Sequence, residues 1–228
     1  MGSSVLVELE TIEVETGDDP VAAIIWLHGL GADAHDFEPV VPAVSLGKEY
    51  PVRYVFPNAP TRPVTVNGGA LMRAWFDVVA LNRDAPEDEP GIRESATFVE
   101  QLIERETERG IEPARILLAG FSQGGAVALF TALRYSKSLA GVIALSTYLP
   151  LPDVLSQEKN PANDEIPIFM AHGQFDNMVD INFARSSRKR LVETGYSVNW
   201  QEYPMLHSVI PEELSDIKAF LSAVLAKL

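Results

Sequence analysis

One serine of the chain stands between a strand-like and a helix-like segment, and this arrangement constrains the fold more than any other feature. The apolar residues 116–119 precede Gly120, Ser122 and Gly124, and an apolar stretch over 126–133 follows them. A G-x-S-x-G sequence in this context is typical of a nucleophile elbow, a turn so tight that the residues two before and two after the serine need small side chains. We therefore expect Ser122 to project as a nucleophile from the end of a buried strand. The alternative is a glycine-rich turn with a surface serine.

From residue 22 to the end of the chain, strand-like and helix-like segments alternate. We predict strands over 22–27, 52–56, 116–119, 142–145, 166–171 and 198–203, and helices over 37–46, 92–109, 123–135, 181–194 and 212–225. Residues 5–14 are expected to form an N-terminal hairpin or edge strand, and residues 57–69, 84–94 and 146–165 to be loops. The alternation predicts the α/β class, with a mostly parallel, doubly wound sheet and helices on both faces. Ligands bind such sheets at the carboxyl ends of the strands.

Length and composition narrow the range of functions. A chain of 228 residues predicts a single domain over 1–228. It contains no cysteine, which excludes thiol catalysis and zinc–thiolate sites, and its net charge of −14 argues against nucleic acid and anionic lipid surfaces as partners. Residues 1–8 lack the features of a signal peptide, and no apolar run approaches the roughly 18 residues of a transmembrane helix. We therefore expect no transmembrane segment and a cytoplasmic location.

A serine nucleophile needs a histidine base. In hydrolases built around this elbow the chain order is serine, acid, histidine. His207 lies beyond Ser122 with acidic residues in between, just after a late predicted strand. His172 would need an acid before it, and His28 and His35 precede the serine. We therefore predict His207 as the base, with a structural histidine at this position as the alternative.

The base in turn needs a carboxylate that orients it. Asp176 follows the strand predicted over 166–171, where a loop tip can face His207. Asp180 is the rival, but it stands directly before the helix predicted over 181–194 and is better explained as that helix's N-cap. We therefore predict Asp176 as the acid.

Two backbone amides are candidates for an oxyanion hole. The Gln123 N–H follows the nucleophile at a helix N-terminus, and the Leu30 N–H lies in the glycine-rich loop after the first buried strand. His28 begins that loop, and a structural hydrogen-bonding role suits it better than a catalytic one.

Several segments together resemble the acyl-protein thioesterase/carboxylesterase family of α/β-hydrolases, also called the phospholipase/carboxylesterase family. They are LHGLGAD at 27–33, FPNAP at 56–60, PVT at 63–65, NGG at 67–69, RAWFD at 73–77, GFSQGGA at 120–126, HG at 172–173 with Asp176, and YPM with HSV within 203–209. The resemblance implies a triad of Ser122, Asp176 and His207 and an oxyanion hole formed by the Leu30 and Gln123 amides. It also implies hydrolysis of carboxylic esters, with acyl thioesters as further substrates, no cofactor or metal, and frequent homodimers.

The substrate groove is less well defined by the sequence. Apolar residues interrupt the polar segment 67–76, namely Leu71, Met72, Trp75 and Phe76. They form either an acyl-binding wall, with Leu71 and Met72 as the leading candidates, or a small core under a long loop. Tyr148 and Leu149 are expected on the opposite side of the groove.

The sequence departs from the family pattern beside this groove. Met178-Val179 replaces a common Val-Val pair after the acid, and the run 146–149 replaces a common Ser-Gly pair. We interpret the chain as a serine carboxylesterase that forms an acyl-enzyme from small-molecule or lipid acyl esters. The alternatives are an acyl-protein thioesterase or lysophospholipase for long acyl chains, with acylated proteins among the partners, and a non-catalytic binding protein with a hydrolase fold.

Overall fold

A computed structural model describes residues 9–80 and 85–225 of the chain. The strands in these ranges are β1 Thr11–Glu15, β2 Ala22–Leu27, β3 Val52–Pro57, β4 Thr61–Val64, β5 Ala70–Arg73, β6 Ile116–Phe121, β7 Gly141–Leu145, β8 Ile168–Gly173 and β9 Val198–Tyr203. The α-helices are α1 Val41–Val44, α2 Glu89–Glu108, α3 Gln123–Ala132, α4 Leu155–Glu158, α5 Ile181–Glu193 and α6 Pro211–Leu225. No helix in the described ranges is long and apolar enough to cross a membrane.

Seven strands form one sheet in the order β1-β3-β2-β6-β7-β8-β9. All neighbouring pairs are parallel except β1 with β3, which pair antiparallel from Thr11 opposite Pro57 to Glu15 opposite Arg53. This confirms the mostly parallel sheet predicted from the alternating segments. The N-terminal prediction over 5–14 is met by the edge strand β1, while residues 5–8 lie outside the described residues.

Helices cover both faces of the sheet because the central strands are apolar on both sides. In β2, Ala23, Ile25 and Leu27 join one core with residues of α2, α3 and α5, whereas Ala22, Ile24 and Trp26 join a second core with residues of α1 and α6. Alternate residues of a strand point to opposite faces, so one apolar strand supplies two cores. Every residue of β2 is buried as a result.

The predicted loop over 57–69 is wrong in part, because β4 pairs antiparallel with β5 as a separate hairpin. Pro63 fits within β4 because a two-stranded hairpin has only edge positions, where a missing N–H is tolerated. The acidic loop over 84–94 is also shorter than expected, since α2 begins at Glu89. Asp88 caps this helix by accepting from the Gly91 amide at 3.0 Å, and a proline in the first turn removes no intrahelical hydrogen bond.

The segment over 146–165 is irregular as predicted, apart from α4 and a short 3-10 turn over Pro161–Asn163. More important for function is the shared direction of β2, β6, β8 and β9. Because these strands run parallel, the residues that follow each of them emerge at one edge of the sheet. Those residues build the site described next.

Candidate active site

Ser122 occupies a tight turn between β6 and α3. Its backbone has φ 53° and ψ −121°, a conformation that a non-glycine residue adopts only under strain of about 1–3 kcal/mol. The turn is held by the Ser122 amide, which donates to the Leu145 carbonyl at 2.8 Å. A Cβ at Gly120 would lie 2.3 Å from Gly124, and a Cβ at Gly124 would lie 2.4 Å from the Leu27 carbonyl oxygen. Both glycines are therefore required by the close approach of the backbone.

His207 and Asp176 meet on the loops that follow β9 and β8. The Nδ1 atom of His207 lies 2.7 Å from the Oδ2 atom of Asp176. The Asp176 side chain is fully buried, and the His207 ring is held from one side by Phe121, whose centroid is 4.6 Å away. This contact requires hydrogen on Nδ1 of His207, which leaves Nε2 free to accept a proton. His207 and Ser122 line the same cleft.

The carboxylate of Asp176 is stabilised in its charged form. Burial acts to raise the pKa of Asp176, but hydrogen bonds from His172, His207 and the Val179 and Met178 amides outweigh it and hold the pKa well below its ordinary value. The two amides donate to Oδ1 at 2.9 and 2.8 Å respectively. Asp176 therefore remains ionised over the pH range in which a histidine base works.

Asp180, the rival acid, has a different role. Its side chain accepts from the Asn182 amide at 2.7 Å and caps α5, as its position before the helix predicts.

The loops that carry Asp176 and His207 are tied together at Gly173. A Cβ there would lie 2.4 Å from the Leu206 carbonyl oxygen and 2.5 Å from that of Met205. Two backbone hydrogen bonds join the same loops, from Gln174 to Tyr203 at 2.7 Å and from Phe175 to Met205 at 3.0 Å. Asp176 and His207 thus lie on two loops that hold each other in place.

The two candidate oxyanion donors lie beside the serine. Gln123 is the first residue of α3, and the first hydrogen bond of that helix runs from the Ala126 amide to the Ser122 carbonyl, so the Gln123 N–H precedes the intrahelical bonds. Among the described residues, the Leu30 N–H has no hydrogen-bond partner. Both residues line the cleft with Ser122. Two amides of this kind can stabilise a developing negative charge.

His28 holds the loop that carries Leu30. Its Nε2 atom accepts from the Ala59 amide at 3.0 Å, and its Nδ1 atom lies 2.7 Å from the Gly29 carbonyl oxygen. Burial lowers the pKa of His28, and the Gly29 contact offsets this only in part. The neutral ring therefore links the segments that follow β2 and β3, in line with the structural role expected for it.

The cleft around Ser122 has a volume of about 1250 Å³. Of the predicted groove residues, Met72, Phe76, Tyr148 and Leu149 line it. Tyr148 stacks on Phe183 with the ring centroids 4.5 Å apart, which gives this wall a rigid aromatic surface.

Two predicted groove residues do not line the cleft, and this corrects the expectation. Trp75 has no exposed surface, because its indole Nε1 donates to the His28 carbonyl at 2.9 Å and its ring packs in the core. Leu71 is 73% exposed on the β4–β5 hairpin, since alternation along β5 turns it away from the side that presents Met72. The position of Trp75 thus fits the alternative expectation, in which the apolar residues of this segment pack in a core under the loop.

Sequence reasoning missed other apolar residues of the cleft wall, which are Val66, Val78, Val79, Met178 and Phe183. The apolar pair Val78-Val79, directly after the RAWFD segment, was an available signal. Charged residues lie farther along the cleft, including an Arg190–Asp153 pair with 2.6 Å between Nη2 and Oδ1. Within residues 9–80 and 85–225, no three histidine or carboxylate side chains are grouped so as to hold a metal ion.

Comparisons with known proteins identify relatives of this chain. A family model described as phospholipase/carboxylesterase matches residues 9–225. The chain is 36% identical to acyl-protein thioesterase 1 of Cryptococcus neoformans var. neoformans, covering 95% of this chain and 98% of that protein. It is 40% identical to acyl-protein thioesterase 1 of Neurospora crassa, covering 90% of this chain and 88% of that protein.

Two crystal structures at 30% identity or more show the same fold. SOBER1 of Arabidopsis thaliana is 32% identical with a TM-score of 0.85, covering 90% of this chain and 99% of that one. Acyl-protein thioesterase 2 of Zea mays is 30% identical with a TM-score of 0.84, covering 95% of this chain and 99% of that one. The comparisons confirm the α/β-hydrolase fold expected from the sequence.

Proposed function

Because the chain belongs to the phospholipase/carboxylesterase family, as its motifs indicated, we propose that it hydrolyses acyl esters and thioesters through Ser122, His207 and Asp176. Family membership makes the protein a serine hydrolase that acts on esters. The observation that carries the assignment of residues is the 2.7 Å contact between His207 and Asp176 at a cleft shared with the strained Ser122.

The mechanism follows from this arrangement. Ser122 attacks the acyl carbonyl while Nε2 of His207 takes the hydroxyl proton, and the Leu30 and Gln123 amides stabilise the tetrahedral oxyanion. His207 then gives the proton to the departing alkoxide or thiolate, leaving an acyl-enzyme. Water, activated in turn by His207, cleaves the acyl-enzyme and restores Ser122. Asp176 keeps Nδ1 protonated and balances the charge of the imidazolium in both steps.

The cleft favours a long acyl chain. Its volume of about 1250 Å³ is larger than a short ester requires and lies above the roughly 300–1,000 Å³ of common small-molecule sites. The relatives named acyl-protein thioesterases point to the same class of substrate. We therefore infer that acylated proteins or lipids are the partners of the cleft. The homodimer and the cytoplasmic location stay predictions.

Initial rates on p-nitrophenyl esters of increasing acyl length, and on an acyl thioester, test the proposal. We expect turnover by the wild-type protein with an optimum at long chains, and its loss in Ser122→Ala. Ser215→Ala is the matched control, because the Ser215 hydroxyl donates to the Pro211 carbonyl within α6 at 3.0 Å, away from the cleft. A phosphonate probe should label the wild type and the control but not Ser122→Ala. Turnover that survives in purified Ser122→Ala would overturn the assignment.

A further inference from the structure

We propose that His172 is a positioning residue of the active site, which holds Asp176 by contacting the same carboxylate oxygen as His207. The proposal rests on the function assigned above. The chain order argues against His172 as the base, yet the fold places it directly beside the proposed acid.

His172 lies near the end of β8 with a side chain that is almost fully buried. Its Nε2 atom lies 2.8 Å from the Val179 carbonyl oxygen and 3.3 Å from Oδ2 of Asp176. Both neighbours can only accept a hydrogen bond, so Nε2 must carry the hydrogen. Nδ1 has no hydrogen-bond partner among the described residues, as suits the unprotonated nitrogen of this tautomer.

Four donors therefore surround the Asp176 carboxylate. The Met178 and Val179 amides bind Oδ1, while Nδ1 of His207 and Nε2 of His172 converge on Oδ2. His172 does not contact the cleft, and it acts on the reaction only through the oxygen that orients His207. A carboxylate whose two oxygens are both held by donors has one orientation, which fixes the direction of the His207 ring.

Val179 closes the arrangement into a ring. Its amide donates to Asp176 Oδ1 and its carbonyl accepts from His172, so the turn from Asp176 to Val179 is fastened at both ends to side chains. Trp200 of β9 backs the His172 ring, with the ring centroids 6.5 Å apart and the planes inclined by 20°. His172 is thus held by two strands and is itself placed to hold the acid.

The contact from His172, whose single Nε2–H is shared with the Val179 carbonyl, also weakens the charge that His207 faces. Oδ2 divides its lone pairs between two N–H groups, so removing His172 leaves the full charge of that oxygen to His207. The imidazolium form of His207 is then held more strongly and gives up its proton less readily. The expected consequence is a movement of the acid limb of the pH–rate profile to higher pH, together with a loss of orientation.

His172→Phe and His172→Gln test the proposal as a pair. Phenylalanine keeps a ring but donates nothing, whereas the Gln amide places an N–H near the position of Nε2. For His172→Phe we expect kcat to fall about tenfold, with KM within about twofold, as for loss of a hydrogen bond to a charged group. The acid limb of kcat/KM should move up by about half a pH unit. His172→Gln should recover most of both effects. A purely space-filling role would leave the acid limb in place and would favour Phe over Gln.

A measurement on the unmodified protein covers the case in which a variant does not fold. The chain has four histidines, so nitrogen NMR of histidine-labelled protein gives a simple spectrum. We expect His172 to carry its hydrogen on Nε2, and the shift of that nitrogen to change as His207 is titrated, because both bind Oδ2. A His172 signal of the other tautomer, or one that ignores the titration of His207, would overturn the proposal.

The experiments separate the two proposals. Loss of activity in Ser122→Ala establishes the hydrolase site whatever His172 does. With that result in hand, a His172→Phe variant that matches the wild type in kcat and pH profile refutes the positioning role alone. The NMR measurement needs no turnover, so it judges His172 even if the hydrolase assignment fails.

Discussion

The Gln123 side chain accepts a hydrogen bond from the Trp75 main chain at 2.8 Å, which joins the serine turn to the segment behind the cleft wall. The amide nitrogen of the same side chain donates to the Phe76 carbonyl at 2.7 Å. Trp75 in turn reaches the His28 carbonyl through its indole N–H at 2.9 Å. One tryptophan therefore contacts both segments that carry the proposed oxyanion donors, and it sets the spacing of Leu30 and Gln123.

Replacing Trp75 by Phe should impair catalysis more than packing. The variant keeps an aromatic ring but leaves the buried His28 carbonyl without its donor, at a cost of about 1–3 kcal/mol. We expect kcat to fall while KM changes little, because the Leu30 amide loses its placement. Trp26→Phe is the matched control, since the buried Nε1 of Trp26 has no partner in the described part of the chain. Equal losses of kcat in the two purified variants would contradict the role given to Trp75.

Asp176→Asn should reduce kcat by roughly 10³–10⁴ with the protein still folded, because the amide cannot both accept from His207 and keep its neighbours' hydrogen bonds. Single-turnover kinetics with a p-nitrophenyl ester measure the effect. Asp180→Asn is the informative comparison, as asparagine also caps a helix and α5 is preserved. If Asp180→Asn lost more activity than Asp176→Asn, the acid would be Asp180.

Met72→Trp should narrow the cleft and shift the substrate range. Met72 lines the cleft, whereas its neighbour Leu71 faces solvent. We expect kcat/KM to fall on long-chain esters more than on short ones in Met72→Trp, because added bulk removes volume that a long chain fills. Leu71→Trp makes the same change off the cleft and should leave the chain-length profile unaltered. A uniform loss of kcat/KM on all chain lengths in Met72→Trp would indicate that the substitution disturbs the proposed catalytic residues instead.

Glu213→Gln should stabilise the protein in a pH-dependent way. Burial raises the pKa of Glu213 from 4.5 to about 8; the Ile210 amide offsets this in part, and the charge of Asp216 adds to the rise. A carboxyl with a raised folded-state pKa favours the fold fully below pH 4.5, and this contribution is lost as the pH rises through 8. The loss is on the order of 1.4 kcal/mol for each pH unit in that window.

Urea unfolding at pH 5 and pH 9 measures this effect. Glu213→Gln should be more stable than the wild type at pH 9 and close to it at pH 5. Glu212→Gln, at the exposed neighbouring position, should show no such dependence. An identical difference at both pH values would mean that Glu213 does not titrate between them.

Much of the fold could be predicted from the sequence because its signals are local. The strand, turn and helix around Ser122 follow from small residues at fixed spacing, and apolar runs such as Ala22–Leu27 indicate buried parallel strands. The β4–β5 hairpin could not be predicted because proline and glycine indicate a turn but do not indicate whether strands flank it. The start of α2 was missed because Pro90 is acceptable in a first turn.

The site was less accessible to sequence reasoning wherever a role depends on direction. Apolar character alone could not separate Trp75, which points into the core, from Met72, which faces the cleft. Chain order argues against His172 as the base, and its contact with Asp176 arises only in the fold, where Asp176 and the Val179 carbonyl both approach its Nε2 atom. Contacts that form only in the tertiary structure have no local signal in a single sequence.

The close approach at Gly173 restricts mutation in the loops that carry Asp176 and His207, but not in most of the cleft wall. At Gly173 the loops that carry Asp176 and His207 lie so close that a Cβ would be 2.4–2.5 Å from the Leu206 and Met205 carbonyl oxygens, while most of the cleft wall belongs to other segments, including the hairpin, α5 and the residues after Phe76. Mutations in those segments can therefore accumulate and retarget the protein to new acyl groups without moving the proposed acid and base. Through this separation, one lineage can diversify its substrates while inheriting its chemistry intact.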